Sequence, residues 1–169
     1  GISIGGLNVA RSSSDVQISS SVQTSNTPSS SSLALNAAGG LIGVQIASEG
    51  GIVIDASQAS GSIDATSQVK GLTSVGGLVG LASNKETLLQ NSLSGVDITV
   101  DSSCSYGCYV GGLMGTSGGF IGDGSGFGGT VAMYGVQSTG AITVSPDAFA
   151  TVGGGVGFIL NGVAIIDDY

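Results

Sequence analysis

The 169-residue sequence predicts an all-β protein, a right-handed parallel β-solenoid (β-helix) of about four repeats of one glycine-rich element. Three observations predict this fold. The element recurs at a regular interval, a second glycine anchor recurs in phase with it, and the composition favours strands over helices. The handedness follows from the right-handed twist of strands and of parallel crossovers. A β-sandwich with donor-strand exchange is the alternative fold, because alternating strands would also suit it.

The recurring element has the form GGLxG. It occurs at Gly39-Gly40-Leu41-Ile42-Gly43, Gly76-Gly77-Leu78-Val79-Gly80 and Gly111-Gly112-Leu113-Met114-Gly115, and more loosely at 153–157 and 5–9. Successive copies begin 34 to 42 residues apart, which is typical of solenoids and propellers. A corner between closely stacked strands needs a positive φ or a close backbone approach, and glycine allows both. We therefore expect the element to form a corner, with Leu41, Leu78 and Leu113 stacked in register inside.

A second anchor lies upstream of the GGLxG element. Gly61, Gly95 and Gly140 each open a short alternating stretch that contains an isoleucine, and each begins 13 to 16 residues before the next GGLxG copy. Further alternating stretches lie between the two anchors, and alternation over four to six residues predicts a half-buried strand. Each repeat is therefore interpreted as a short strand at GGLxG, a second strand after a turn and a third strand after the turn at the Gly-x-Ile element. Together these form one coil of a three-sided helix of strands.

The composition supports strands and tight turns. Glycine accounts for 32 of the 169 residues and only 8% of residues are charged, against about 25% charged in an average protein. Surface helices rely on straight-chain charged residues, so residues 84–90 are the best helical candidate. We expect one domain over 1–169, with a degenerate first coil and serine-rich loop at 1–38, the repeats at 39–152 and an incomplete terminal repeat at 153–169. Neither end carries a helical cap, so we expect exposed strand edges there.

Charge and residue types exclude several functions. The net charge of −8 argues against nucleic acid as a partner. The sequence contains no apolar run of about 18 residues, so no membrane span is predicted. Without histidine, the Ser-His-Asp and Cys-His catalytic arrangements are impossible. Two cysteines do not suffice for a zinc site. We expect no cofactor, no metal and no enzymatic activity.

Cys104 and Cys108 lie close together in the sequence, separated by Ser105-Tyr106-Gly107. Because Gly107 eases a tight loop, a local disulfide is expected, which would indicate an oxidising, extracellular compartment. Two buried free thiols are the alternative.

The GGLxG copies at 39–43, 76–80 and 111–115, with Gly61, Gly95 and Gly140 upstream, resemble the GLUG motif. This repeat is found in large bacterial and some microbial-eukaryote surface proteins and adhesins. The resemblance covers most of residues 39–157. The copy at 153–157 departs from it, with Gly155 in place of leucine, and the copy at 5–9 lacks the final glycine. The resemblance implies a surface-exposed β-solenoid and supplies no activity.

Three functional hypotheses follow. The first is a structural one: an extracellular segment or subunit of a cell-surface adhesin or filament that stacks end to end with copies of itself or with further repeats. The second is a surface module that binds glycans through Tyr106, Tyr109 and Tyr134, with the loop at 117–129. The third is a carbohydrate-active enzyme that uses Asp97 and Asp101, although a solvated strand face is the expected place for these carboxylates and for Asp55 and Asp64.

Overall fold

The computed structural model describes residues 1–22, 34–47, 50–67, 71–102, 107–118, 130–145, 150–160 and 163–167. Within these ranges the regular secondary structure is entirely β. The predicted all-β class is therefore confirmed. The helical candidate at 84–90 is wrong, because Glu86–Gln90 is a strand whose side chains alternate between solvent and the interior. Alternation over two residues outweighs helix propensity in so short a segment.

The strands follow one another in layers of four. The first layer comprises β1 (Ile2–Ile4), β2 (Leu7–Ala10), β3 (Ser13–Val22) and β4 (Ala34–Gly39). The second comprises β5 (Ile42–Ile46), β6 (Gly51–Asp55), β7 (Gln58–Ser67) and β8 (Gly71–Gly76). The third comprises β9 (Val79–Ser83), β10 (Glu86–Gln90), β11 (Leu93–Ser102) and β12 (Cys108–Gly111).

The fourth layer divides its long strand in two. It comprises β13 (Met114–Ser117), β14 (Thr130–Tyr134), β15 (Gln137–Ser138) with β16 (Ile142–Val144), and β17 (Ala150–Gly153). A fifth layer contributes β18 (Val156–Ile159) and β19 (Val163–Asp167).

Corresponding strands of successive layers pair to form four sheets within the described residues. Sheet 1 contains β1, β5, β9, β13 and β18; sheet 2 contains β2, β6, β10, β14 and β19; sheet 3 contains β3, β7, β11, β15 and β16; and sheet 4 contains β4, β8, β12 and β17. Every pair described is parallel. Stacked parallel strands are compatible with a β-solenoid, whereas the β-sandwich alternative requires antiparallel sheets and does not fit.

The layers also correct the predicted number of strands in a repeat. Three strands were expected, with the GGLxG element as one of them. Each complete layer instead contributes to four sheets, and GGLxG is the bend that joins sheet 4 to sheet 1. The chain ends a strand at the first glycine, bends through the next two residues and starts a new strand. A five-residue element read as one strand is thus the junction of two.

The register of the GGLxG copies is confirmed over four layers. Gly39 pairs with Gly76, Gly76 with Gly111, and Gly111 with Gly153. The leucines also stack as expected: the amide of Leu41 donates to the carbonyl of Leu78 (3.0 Å), and the amide of Leu78 donates to the carbonyl of Leu113 (2.8 Å). Leu78 and Leu113 are buried in the main core, and Leu41 packs against it half-buried.

The copy proposed at residues 5–9 is wrong. Leu7 pairs with Ile52, so Gly5-Gly6 lies between sheets 1 and 2, at the position of Gly50-Gly51 in the next layer. The first-layer counterpart of Gly43 is Gly1, whose carbonyl accepts a hydrogen bond from the Gly43 amide (3.2 Å). The corner between sheets 1 and 2 and the corner between sheets 4 and 1 both contain two glycines followed by an apolar residue. Only the strand pairing distinguishes the two corners.

The second anchor is in register only in part. Ile18, Ile63, Ile98 and Ile142 align across sheet 3 as the phase of the anchors implies. Gly61, however, pairs with Val96, so Gly95 stands one residue out of register. The isoleucines align because they face the core, and a shift of one residue would turn them to solvent.

The core lies on the inner faces of the sheets. Strands β6 and β10 alternate strictly and β7 alternates except at Gly61-Ser62. They bury Ile52, Ile54, Ile63 and Leu89 on the inner face. In β8 and β9 every residue is buried, because sheets 4 and 1 also cover each other. In these layers, sheets 4 and 1 are therefore buried on both of their faces.

Two of the four connections have constant length. Sheet 4 always joins sheet 1 through two residues (Gly40-Leu41, Gly77-Leu78, Gly112-Leu113 and Gly154-Gly155), and sheet 2 always joins sheet 3 through two residues (Arg11-Ser12, Ala56-Ser57, Asn91-Ser92 and Gly135-Val136). The other two connections vary: sheet 1 joins sheet 2 through residues 84–85 in one layer and 118–129 in another. The connection from sheet 4 to sheet 1, together with the GGLxG glycines that flank it, is named the glycine bend, and the connection from sheet 2 to sheet 3 is named the serine corner.

Candidate functional site

The glycine bend brings the backbones of sheets 4 and 1 into direct contact. A Cβ atom on Gly80 would lie 2.5 Å from the carbonyl oxygen of Gly43 and 2.7 Å from that of Ala38, and one on Gly115 would lie 2.6 Å from the amide nitrogen of Val75. Real Cβ atoms do not approach backbone atoms so closely, so glycine is required at these positions. Among the described residues, the glycines with positive φ lie elsewhere. Close approach, and not a left-handed dihedral, explains the conserved spacing of the repeat.

A buried hydroxyl pair connects the two sheets at this bend. The Ser74 hydroxyl donates to the carbonyl oxygen of Gly80 (2.6 Å) and is hydrogen-bonded to the Thr116 hydroxyl (2.7 Å). Both side chains are fully buried. Because a hydroxyl buried without a partner costs about 1–3 kcal/mol, this pairing suits an interface of small side chains. The bend has no space for a ligand.

The serine corner is the second stacked feature, and the sequence analysis missed it. Its first residue has a positive φ in every layer: Arg11 (51°), Ala56 (46°), Asn91 (50°) and Gly135 (57°). The left-handed conformation costs an ordinary L-residue about 1–2 kcal/mol. Glycine and asparagine tolerate it well, so Asn91 and Gly135 were the available signal. Arginine and alanine gave none.

Serine side chains link the corner from one layer to the next. The Ser12 amide donates to the Ser57 hydroxyl (3.1 Å), and the Ser57 amide donates to the Ser92 hydroxyl (3.1 Å). Each hydroxyl in turn donates to a backbone carbonyl of its own corner, Ser57 to Asp55 (2.8 Å) and Ser92 to Gln90 (2.7 Å). These amides, carbonyls and hydroxyls of the corner therefore find their hydrogen-bond partners within the protein.

Of the predicted glycan-binding tyrosines, the two in the described residues, Tyr109 and Tyr134, lie on different sheets. Tyr109 lies half-buried on sheet 4, and its ring stacks on Phe158 at a centroid distance of 4.4 Å and an interplanar angle of 17°. Tyr134 lies at the end of β14 in sheet 2 and is 40% exposed. Tyr106 and most of the loop at 117–129 lie outside the described residues. Of Tyr109 and Tyr134, only Tyr134 is classed as exposed to solvent.

The predicted acid pair is too widely spaced for glycoside hydrolysis. Asp97 and Asp101 both face solvent on β11, four residues apart, which is about 13 Å along a strand. Glycosidase carboxylates lie roughly 5–9.5 Å apart. Asp97 Oδ1 accepts a hydrogen bond from the Ala141 amide (2.8 Å), and Asp55 Oδ1 accepts one from the Asn91 side-chain amide (3.2 Å). Asp64 is also exposed, on the neighbouring strand β7.

Cys108 is fully buried on β12, in the core cluster. Cys104 lies outside the described residues, so the Cys104–Cys108 disulfide stays a prediction. In the described part of the chain, no group of three or more cysteine or acidic side chains could hold a metal ion.

Apolar side chains are exposed on the outermost strand of sheet 1. Ile2 is 77% exposed and Ile4 is 85% exposed, and β1 pairs only with β5 in the described structure. Their neighbours one layer in are Val44 and Ile46. The edge therefore offers both unpaired backbone groups and an apolar surface.

Within the described ranges there is no helix long and apolar enough to span a membrane. No protein-family model matches the chain, and no curated protein or solved structure shows significant similarity to it.

Proposed function

We propose that the chain is a right-handed parallel β-solenoid and that it is a structural part of an extracellular adhesin or filament. The observation that carries the proposal is the stacking of four parallel sheets with the GGLxG glycines in register over four layers. Repeat proteins of this kind bury their core by stacking units on one another. The fixed element of the repeat is then a packing device, and the activity resides in surfaces and edges.

Self-association, or stacking on further repeats, is the second part of the proposal. Unpaired strand edges bind other strands, and natural proteins protect them with charge, proline or a covering element. The outer strand β1 has neither charge nor proline, since it consists of Ile2, Ser3 and Ile4, and within the described residues it pairs only with β5. A strand added in register over β1 would place its side chains over Ile2 and Ile4, which pair with Val44 and Ile46 of the next layer.

The cellular context rests on the resemblance to GLUG repeats and on the predicted disulfide. Surface proteins occupy the oxidising compartment in which a Cys104–Cys108 bridge would persist. Intact-mass measurement after alkylation, with and without prior reduction, tests the bridge: two alkyl groups are expected only after reduction. We propose no catalytic role, since the chain has no histidine and Asp97 and Asp101 are too far apart for an acid pair.

Electron microscopy and sedimentation velocity of the purified chain test self-association. Filaments or oligomers that grow with concentration are expected, and Ile4→Lys should shift the distribution to monomers, because it places a charge on the β1 edge. Thr99→Lys makes a comparable charge change on the exposed face of β11, an interior layer with strands on both sides, and should leave the assembly unchanged. Monodisperse monomers of the unmodified chain under all conditions would contradict self-association.

A further inference from the structure

A small groove lies beside the serine corner, on the side of sheet 3. It has a volume of about 230 Å³, and its lining includes Arg11, Ser13, Ala56, Gln58, Asn91 and Leu93. The corner residues of three layers form one wall, and the first outward-facing residues of β3, β7 and β11 form the other. Ala56 is the shortest side chain of its wall and stands between Arg11 and Asn91. The small side chain of Ala56 therefore leaves a gap in this wall at the middle layer. This gap is called the notch.

The size of the notch limits its occupant. Arg11 and Asn91 lie two layers apart, which is about 9.6 Å at the usual spacing between strands. Pockets for drug-sized molecules measure about 300–1,000 Å³, so this groove suits a smaller group, such as one ring of a longer molecule that continues into solvent.

The chemistry of the lining is that of a polyol site. Gln58 and Asn91 each offer a donor and an acceptor, and the Gln58 side-chain amide already donates to the Ser13 hydroxyl (3.3 Å). Asn91 is held by its own bond to Asp55 (3.2 Å). Arg11 adds several donors in one plane, and Leu93, 37% exposed, adds an apolar contact. A sugar ring presents hydroxyls around its edge and C–H groups on its faces, which matches this mixture.

Charge favours a neutral sugar over an acidic one. Asp15 follows Ser13 by two residues on the same exposed face, Asp55 adjoins the corner, and the chain carries a net charge of −8. An anion would meet a repulsive field from these groups. A purely apolar ligand would leave most of the lining without partners.

We propose that the groove at the serine corner binds one ring of a neutral saccharide, with Arg11, Gln58 and Asn91 as its hydrogen-bond partners and Leu93 against its C–H face. This site places glycan recognition at the corner of sheets 2 and 3 instead of at the tyrosines.

The test is titration of the isotope-labelled full chain with cellotriose, laminaritriose, mannotriose and chitotriose, followed by amide NMR. At least one trisaccharide should shift the resonances of Ser13, Gln58 and Asn91. Arg11→Gly and Gln58→Ala should each raise its Kd about tenfold. Arg11→Gly keeps the left-handed φ available, so it removes the side chain without straining the corner.

Gln17→Ala is the matched control. It removes an amide of the same kind as that of Gln58 from the same outward face of sheet 3, in a neighbouring groove whose lining includes Asp15, Ser62 and Asp97, and it should leave Kd within about twofold. The proposal fails if none of the four trisaccharides binds at roughly 10 mM. It also fails if affinity is unaffected by the two groove variants, or if it is lost in Tyr134→Ala while the groove variants bind normally.

Discussion

The glycine bend and the serine corner both turn the chain in two residues, and both stack in register from layer to layer, yet they place opposite demands on their residues. At the glycine bend, Gly80 has no room for a side chain, because backbone oxygens of sheets 1 and 4 lie where its Cβ would be. At the serine corner, Ala56 has ample room for a side chain but adopts a φ of 46° that L-residues disfavour. One corner is limited by space and the other by dihedral angle.

This difference explains why only one of the two corners is visible in the sequence. Lack of space excludes every residue except glycine at crowded positions of the element such as Gly77, Gly80 and Gly112, so these copies repeat one amino acid at matching positions. An unfavourable dihedral costs only about 1–2 kcal/mol, which the hydrogen bonds that backbone amides donate to the hydroxyls of Ser57 and Ser92 can offset. Arginine, alanine, asparagine and glycine all occupy that position.

The largest expected effect is that of Gly80→Ala at the glycine bend. The added Cβ would collide with the carbonyl oxygens of Gly43 and Ala38, which are backbone atoms of two different sheets. We expect a loss of at least about 3 kcal/mol of unfolding free energy, or no folded protein, measured by urea denaturation.

Gly154→Ala is the control within the same repeat element. Gly154 is exposed, and a Cβ there would meet nothing within 4 Å. It should change stability by less than about 1 kcal/mol. Equal destabilisation by the two variants would show that glycine is needed for some property other than close approach.

Ser57→Ala should have an intermediate effect at the serine corner. It removes the acceptor for the Ser12 amide and the donor to the Asp55 carbonyl. A loss of about 1–2 kcal/mol is expected from thermal denaturation. Ser12→Ala removes only an exposed bond to the Ala10 carbonyl and should cost less than about 0.5 kcal/mol. If both cost the same, the link between layers has no energetic role.

Ala56→Gly should have the smallest effect and the opposite sign. Glycine adopts the observed φ without strain, and after its larger unfolded-state entropy is counted, a gain of about 0.5–1 kcal/mol is expected. Ala10→Gly, at the end of the preceding strand, should instead destabilise by about 0.5–1 kcal/mol. Differential scanning calorimetry of both variants gives the comparison, and a loss of stability in Ala56→Gly would contradict the dihedral argument.

The sequence was informative where burial or crowding restricts residue type. The all-β class, the parallel stacking and the register of Gly39, Gly76 and Gly111 followed from the repeats and from a composition that favours strands. Gly5-Gly6 was misassigned because another corner of the layer uses the same dipeptide. Only the pairing of Leu7 with Ile52 separates the two.

Surface features were harder to foresee. Tyr109 was expected on a ligand surface, but its ring stacks on Phe158, a residue distant in sequence. The groove at the serine corner gave no local signal either, since Arg11, Gln58 and Leu93 come from three layers and acquire a common role only through register. Periodicity predicts which residues face outward, but it does not show which of them become neighbours.

The constant two-residue corners have a consequence for how such a chain could have arisen. A gene segment copied from one glycine bend to the next contains one complete layer, whatever the length of its variable connections. Its duplication would add a layer that already matches the strands above and below it, because Gly39, Gly76, Gly111 and Gly153 are equivalent in the stack. The bend is therefore a natural boundary for unequal recombination, and relatives that differ by whole layers would share one cross-section.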